Sequence, residues 1–457
     1  MKYHYHLIGI GGIGMGAIAS LLLDKGARVS GSDIKEGRIT RMLRAKGATV
    51  RIGHDARHVT SPDFVVYSSA ISPSNPELAK ARAKGLRILQ RAQMLAMLMQ
   101  GYTNITVAGA HGKTTTTSMV SKMMVDAQLH PTTALGGIIE EALYDTQLGE
   151  GKYFVSEVDE SDGSFLYFHP DYSIITNIDF EHIDYYRGWE NIVKTYQTFI
   201  ENTRGGGMLF GFGEDARLRK LLKESGKPYM TYGFDAGNDL QAMAVESDHF
   251  RSRFKCVYQG NELGYVTLNV PGQHNIADAL ACILLGLHLS IDFHVICASL
   301  KEYKPVHRRF QLVGETDGIT VVDDYGHHPT EIKNVLATAR AVGQDRLIVV
   351  FQPHRYTRLK YLQREFARSL QGADHLIITD VYAASEPPLE GVNAQSLCRL
   401  VKTHIGQDVC YLPQEKIVDH LMQVTRPHDL VLTLGAGDIT QIAHEFSAAL
   451  KLRTIAT

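Results

Sequence analysis

Two glycine-rich turns carry the residues of this chain whose types and spacing suit phosphate chemistry. The first, Gly9-Ile10-Gly11-Gly12-Ile13-Gly14, follows an apolar run and opens a helical pattern, with Asp33 closing the next β-branched run. Glycines there let backbone N–H groups approach a pyrophosphate, and the helix amino terminus adds partial positive charge. The turn argues for a diphosphate and leaves open what is attached to it. The second turn, Ala108-Gly109-Ala110-His111-Gly112-Lys113-Thr114-Thr115, has the same setting. Its N–H groups would cradle phosphates, Lys113 would reach the terminal ones, and the Thr114 hydroxyl would ligate Mg²⁺. It departs from GxxxxGK[ST], because Val107 stands where the first glycine is expected. One turn has the Lys and Thr that nucleoside triphosphate chemistry requires. The other has neither, which suits a diphosphate that is held but not cleaved. The pair counts against a nicotinamide dehydrogenase, one of two competing classes; the other is a nucleotide-binding regulatory protein that ligates nothing.

Carboxylates follow where a hard cation would need them. SEVDESDGS places Glu157, Asp159, Glu160 and Asp162 at the end of an apolar run, and NIDFEHID places Asp179, Glu181, His182 and Asp184 after the next one. Mg²⁺ beside phosphates takes carboxylate oxygens. Further on, DDYGHHPTE (Asp323–Glu331) and QPHRYTR (Gln352–Arg358) each follow a strand-like run. In an open α/β sheet such loops lie at the carboxyl ends of strands, where ligands bind. Arg355 and Arg358 fall near a helix start, an unfavourable place for cations unless an anion joins them. Carboxylate or phosphate recognition is the expectation.

These groups need elements to hold them. Short β-branched runs alternate with longer helical patterns through most of the chain, the pattern of parallel α/β layers. Strands are expected at Tyr5–Ile10, Arg28–Ser32, Phe64–Ser68, Asn104–Ala108, Tyr153–Val158 and Ser173–Ile178. Helices are expected up to Lys25, near Ala92–Met99 and over Thr114–Ala127. FKCVY and VTLNV, between Leu240 and Val270, read as a small antiparallel sheet. A third block of alternating elements starts near Arg309, with strands at Ile319–Val322, Leu347–Phe351, Leu376–Thr379 and Leu430–Leu434.

A chain of 457 residues is long enough for about three domains. Hydrophobic residues are 44% and charged residues 21%, with a net charge of −2, so no global basic field exists to grasp nucleic acid. No apolar run reaches the ~20 residues of a membrane span, and the amino terminus reads as a strand rather than a signal peptide. The five cysteines are scattered, with no CxxC pair and no zinc spacing, which fits reduced thiols in the cytoplasm.

The motifs GIGGIGMG, SGSD, YSSAIS, AGAHGKTTTT, EVDESDGSF, TNIDFEHID, HRRF, DDYGHHPTE, QPHRYTR and LGAGDI occur in the order seen in the Mur ligases, which the whole chain resembles. ESDGSF and DDYGHHPTE favour the member that adds L-alanine over its sister that recycles a tripeptide. The resemblance implies an α/β protein of three domains. These are a Rossmann-like UDP-sugar domain (1–101), a P-loop ATPase with the small antiparallel sheet (102–308) and a Rossmann-like amino-acid domain (309–457). It implies ATP and Mg²⁺, two ions, as cofactors, and UDP-N-acetylmuramate and L-alanine as substrates. Gly11, Gly12, Ile13 and Gly14 would hold the UDP diphosphate, with Asp33, His54, Ser68, Ser69, Ala70 and Ile71 around the uridine. Gly109 to Thr115 would serve ATP. Glu157 and His182, with Thr114, would ligate the metals. Arg309 and Asp323 would face the nucleotide; Tyr325, His327, Arg355 and Arg358 would line the place where muramate and alanine meet. His327 is a candidate for deprotonating the amine. Two positions depart from the family pattern. Gln197 replaces a carbamylated Lys, whose absence fits the alanine-adding subfamily. The adenine motif NxxNA reads Asn275-Ile276-Ala277-Asp278-Ala279, which leaves Asp278 able only to accept, so the donor is Asn275, His274 or water, or is absent; the alternative is that Asp278 lies on the solvent side of its helix and touches no nucleotide.

Overall fold

The computed structural model describes residues 3–135, 147–405 and 408–456. It divides into two compact units, Met1–Met243 with Lys255–Gly264 and Ala277–Tyr303, and Ala244–Phe254 with Tyr265–Ile276 and Lys304–Thr457.

The first unit opens with five parallel strands, β1 (His4–Ile8), β2 (Arg28–Asp33), β3 (Thr49–Ile52), β4 (Phe64–Tyr67) and β5 (Arg87–Gln90), ordered β3-β2-β1-β4-β5. The order of connection reverses between β1 and β4, so the ends of these two parallel strands flank the crevice where such sheets bind ligands. β1 stops at Ile8, earlier than its apolar run does. Gly9 turns to φ +79°, and the Gly9 and Ile10 N–H groups donate to the Ser32 carbonyl instead of continuing the strand. The helix Ile13–Asp24 that follows buries Met15 to Leu22 against the sheet.

The second sheet runs β6 (Thr103–Ala108), β7 (Thr132–Ala134), β8 (Tyr153–Glu157), β9 (Tyr172–Ile175), β10 (Met208–Phe212), β11 (Tyr229–Gly233), β12 (Leu240–Asp248), β13 (Arg251–Tyr258) and β14 (Asn261–Leu268). Its order is β14-β13-β12-β11-β10-β9-β6-β8-β7. β6 lies between β8 and β9, parallel to both, and its end delivers the second glycine turn to a second switch point. The stretch expected to form its own small sheet continues this one instead, because β12 pairs in parallel with β11 through Tyr232 and Gly233. One buried core serves both sheets of this unit: Leu7, Leu21, Val66 and Leu95 pack in the same cluster as Phe154, Ile175 and Phe199.

The second unit carries β15 (Gln311–Thr316), β16 (Ile319–Asp324), β17 (Arg346–Phe351), β18 (His375–Ile378), β19 (Val409–Tyr411) and β20 (Asp429–Leu434), ordered β15-β16-β20-β17-β18-β19. All pairs are parallel except β15 with β16. β15 has no apolar run to reveal it, since its residues are only partly covered at the sheet edge. The ends of β16 and β17 carry the DDYGHHPTE and QPHRYTR loops, as expected for ligand-facing loops. Among the described residues no helix is long and apolar enough to cross a membrane. All five cysteines are free thiols.

Candidate active site

The first turn is shaped by the residues around it. The Gly11 N–H donates to Asp33 Oδ2 at 2.8 Å, and a Cβ on Gly11 would sit 2.8 Å from that oxygen. Asp33 therefore holds the turn itself. A Cβ on Gly9 would meet Ser68 Oγ and Ile71 Cδ1 at 3.3 Å, so the Ser68–Ile71 turn closes over the glycines. Gly12 and Ile13 stay exposed, leaving the free N–H end of the helix open.

His54 is placed by a group that sequence reasoning did not pick out. Glu77 is fully buried, and the groups it accepts from include His6 Nε2 at 2.6 Å, His54 Nδ1 at 3.2 Å and the Asp55 N–H at 3.2 Å. Burial works against its charge, but the His6, Ser32 and His54 hydrogen bonds prevail and bring its pKa down to about 2. Because folding lowers this pKa, the stabilisation is present above about 4.5 and lost as pH falls toward about 2. Glu77→Ala leaves His6 and the Asp55 N–H without their acceptor, and each buried group left unsatisfied costs about 1–3 kcal/mol. A urea titration at neutral pH should show that loss; a shift below about 1 kcal/mol would contradict the role.

The second turn begins where β6 ends. Gly112 takes φ +82° at the start of the helix Lys113–Asp126, and a Cβ there would lie 2.4 Å from Asp278 Oδ1. Asp278 is 6% exposed and accepts from Thr116 Oγ1 at 3.0 Å. It thus packs against the turn and not on the solvent side of its helix. The Asn275 amide donates to the Pro271 carbonyl at 2.6 Å, so that N–H is already engaged, and burial together with Arg309 pushes His274 down to about 4. His111 is anchored at 2.9 Å to Asp179.

Lys113 Nζ donates to the Gly109 carbonyl at 2.6 Å, to the Ala110 carbonyl at 3.1 Å and lies 2.9 Å from Glu160. Burial opposes its charge, yet Glu160, Glu157 and Asp159 outweigh burial and raise its pKa, so it stays cationic. Thr114 Oγ1 donates to Glu157 at 2.8 Å. His182, at φ +54°, sits 3.6 Å from both Glu160 and Glu181. The ligand atoms of Glu160, Glu181 and His182 lie within 4.8 Å of one another, a set of hard oxygens with one imidazole that suits a divalent cation. Glu157 is not in that set; it pairs with Thr114. Glu160, 3% exposed, is the group that links Lys113 to the His182 set.

The first turn opens onto a cleft of about 330 Å³ that reaches Glu157, the partner of Thr114 in the second turn. Gly12, Ile13, Gly14, Ser68 and Ser69 line it from the first sheet, and Glu157 and Asp159 from the second. Arg91, at the end of β5, joins the walls through a 3.2 Å ion pair with Asp159. Asp159 belongs to the acidic run picked out in the sequence, whereas Arg91 is not marked by any spacing. A strand-end arginine opening a helix is the only signal.

In the second unit, Asp323 is 1% exposed and has both oxygens engaged, by Arg308 Nε at 3.0 Å and Thr433 Oγ1 at 2.6 Å. Arg308, not the neighbouring Arg309, is its partner; Arg309 lies 3.6 Å from Glu331. Tyr325, His327, His354 and Tyr382 form a chain of rings spaced 5.4–5.5 Å apart. Arg358 reaches His354 at 3.1 Å, and burial with neighbouring cations pushes His354 down to about 3. Arg355 precedes the helix Tyr356–Tyr361, as expected, but the anion there belongs to the chain. Glu386 accepts from Arg355 Nε at 2.6 Å and from the Thr357 N–H at 3.0 Å.

The chain matches three consecutive family descriptions: "Mur ligase family, catalytic domain" over residues 4–103, "Mur ligase middle domain" over 107–286 and "Mur ligase, glutamate ligase domain" over 308–437. Each of the three domains contains one of the sheets described above. It is 44% identical over 452 residues to a UDP-N-acetylmuramate–L-alanine ligase of Pelotomaculum thermopropionicum, covering 98% of both chains. A protein of the same name from Geotalea daltonii is 42% identical, again over 98% of each. The crystal structure of a UDP-N-acetylmuramate–alanine ligase from Thermotoga maritima superposes with a TM-score of 0.82 at 30% identity, covering 99% of this chain and 100% of that one. A murein peptide ligase from Psychrobacter arcticus shares the fold at 23% identity and a TM-score of 0.72, over 98% and 99% of the two chains.

Proposed function

The chain belongs to the Mur ligase family, and on that premise we propose that it is an enzyme of peptidoglycan precursor synthesis that joins L-alanine to the lactyl carboxylate of UDP-N-acetylmuramate, driven by ATP. The observation that carries the reading is a single cleft lined by the diphosphate-type turn and by Glu157, the carboxylate that accepts from Thr114 of the triphosphate-type turn. We assign residues 1–101 to the UDP-sugar, 102–308 to ATP and 309–457 to the amino acid. The reading places the enzyme in the cytoplasm, with ATP and free UDP-sugars.

A carboxylate is a poor electrophile toward an amine. Transfer of the terminal phosphoryl group of ATP to a carboxylate oxygen releases ADP and gives an acyl phosphate. The alanine amine, once deprotonated, attacks the acyl carbon, and the tetrahedral intermediate expels inorganic phosphate. Two anions must meet in the first step, so this chain's contribution is alignment and charge. Ile13 and Gly14 at the helix start offer their N–H groups to the UDP diphosphate, with the Gly11 N–H held by Asp33 and the Gly12 N–H by the Gly9 carbonyl, and Ser68–Ile71 and His54 face the uridine. Lys113 places a permanent cation at the transferring group, while Gly109–Thr115 cradle the phosphates. Glu160, Glu181 and His182, and separately Thr114 with Glu157, are the groups to hold two Mg²⁺ ions. Bound there, Mg²⁺ would neutralise phosphate charge. His274, Asn275 and Asp278 are assigned to the adenine end and Arg309 with Asp323 to the nucleotide. Tyr325, His327, Arg358 and the Glu386-held Arg355 are assigned to muramate and alanine.

Mass spectrometry of the product tests the reading. The expected species is UDP-N-acetylmuramate plus alanine less water. Product only when a tripeptide replaces alanine would overturn the choice of amino donor. Glu157→Gln should raise the Mg²⁺ concentration needed for half-maximal activity, because an amide keeps an oxygen but brings no charge to a hard cation. An unchanged Mg²⁺ dependence would return Glu157 to a purely structural partner of Thr114.

A further inference from the structure

We propose that His375, Cys410 and His420 form a binding site for a zinc-class divalent cation at the β18–β19 edge of the second unit's sheet. Their candidate ligand atoms all lie within 4.8 Å of one another. The residues come from three elements, which is why no zinc spacing shows in the sequence. β18 opens with His375, β19 carries Cys410 at its centre, and the helix Ile417–Val424 carries His420. Register brings the first two together. Cys410 stands opposite Ile377, and His375 is two residues before Ile377, so all three share one sheet face. The helix covers that same face, since Ile417 and Leu421 pack in one cluster with Ile377 and bring His420 over the strands.

The local geometry is that of a liganding pair. His375 Nε2 and His420 Nε2 are 3.0 Å apart, with the rings inclined at 32°. Two imidazole nitrogens on one tetrahedral cation, each at ~2.0–2.1 Å, stand about 3.3 Å apart. His375 Nδ1 meets Asp408 Oδ2 at 2.7 Å. A carboxylate on the far nitrogen fixes the tautomer so that Nε2 presents its lone pair to a metal, an arrangement typical of metal-bound histidine. One thiolate and two imidazoles select zinc-class ions over Mg²⁺, and three protein ligands leave a fourth position for water. On binding, the Cys410 S–H bond gives its proton to solvent and the sulfur lone pair forms the metal bond. The competing description is a His375–His420 hydrogen bond beside an unrelated thiol.

Cobalt(II) distinguishes them. The full chain, stripped with chelator and kept in excess Mg²⁺ to occupy hard-oxygen sites, is titrated with Co²⁺ and then with Zn²⁺. The site predicts one Co²⁺ per chain with tetrahedral visible absorption and a thiolate-to-cobalt charge-transfer band, both displaced by Zn²⁺. Cys410→Ser should remove the charge-transfer band, and His420→Ala should weaken binding at least about tenfold, with phosphate release in Mg²⁺ unchanged in both. Zn²⁺ should also raise the melting temperature of the parent and not that of Cys410→Ser, since a ligand bound only to the native state stabilises it. No charge-transfer band in the parent, or a band that persists in Cys410→Ser, would overturn the proposal.

Discussion

Lys113→Ala is expected to lower alanine-dependent phosphate release by about 100- to 1000-fold, the loss that follows removal of one preorganised electrostatic contact. Its ammonium is held by two carbonyls of its own turn and by Glu160, and three nearby carboxylates keep it charged. A neutral side chain leaves the transferring phosphoryl group without that charge. Binding of UDP-N-acetylmuramate should persist, because Lys113 belongs to the second turn and the diphosphate is assigned to the first. Steady-state phosphate release and calorimetry with the sugar nucleotide read the two effects separately. A collapse of UDP-sugar affinity alongside turnover would break the division of labour between the turns.

Glu160→Gln should be nearly as severe, with about a 100-fold loss in turnover expected from one charged contact in a water-poor site. Its carboxylate sits between Lys113 at 2.9 Å and His182 at 3.6 Å. The isosteric amide keeps the volume but turns an N–H₂ toward an ammonium and removes charge from the candidate cation set. The loss should be accompanied by a higher Mg²⁺ requirement, and Glu160→Asp should recover part of the activity. A Glu160→Gln enzyme with parental turnover and Mg²⁺ dependence would show that the set formed with Glu181 and His182 has no part in the reaction.

These two residues also show how far the sequence could be read. Lys113 is legible because a strand, a glycine turn and a helix start surround it, and that local setting by itself aims the side chain. Glu160 is not, since it is one of four carboxylates in a short run, and only the fold decides which turns inward. Glu157, the first of them, faces Thr114, while Asp159 faces Arg91. The strand ends carrying DDYGHHPTE and QPHRYTR were readable from β-branched runs. β15 was not, because an antiparallel edge strand needs no continuous apolar pattern. Long-range partners are the largest gap. Nothing near His54 in sequence announces Glu77, and adjacent arginines give no sign that Arg308 takes Asp323 while Arg309 takes Glu331. Asp278 illustrates the same limit: helical spacing puts it on the face of Asn275, but only the contact with Gly112 and Thr116 shows that this face is buried against the turn.

The central claim is that two phosphorylated ligands and an amino acid are consumed together. Phosphate release measured with each of ATP, Mg²⁺, UDP-N-acetylmuramate and L-alanine omitted in turn tests it most directly. The account predicts release only when all four are present; release that continues undiminished without the sugar nucleotide, or without L-alanine, would contradict it.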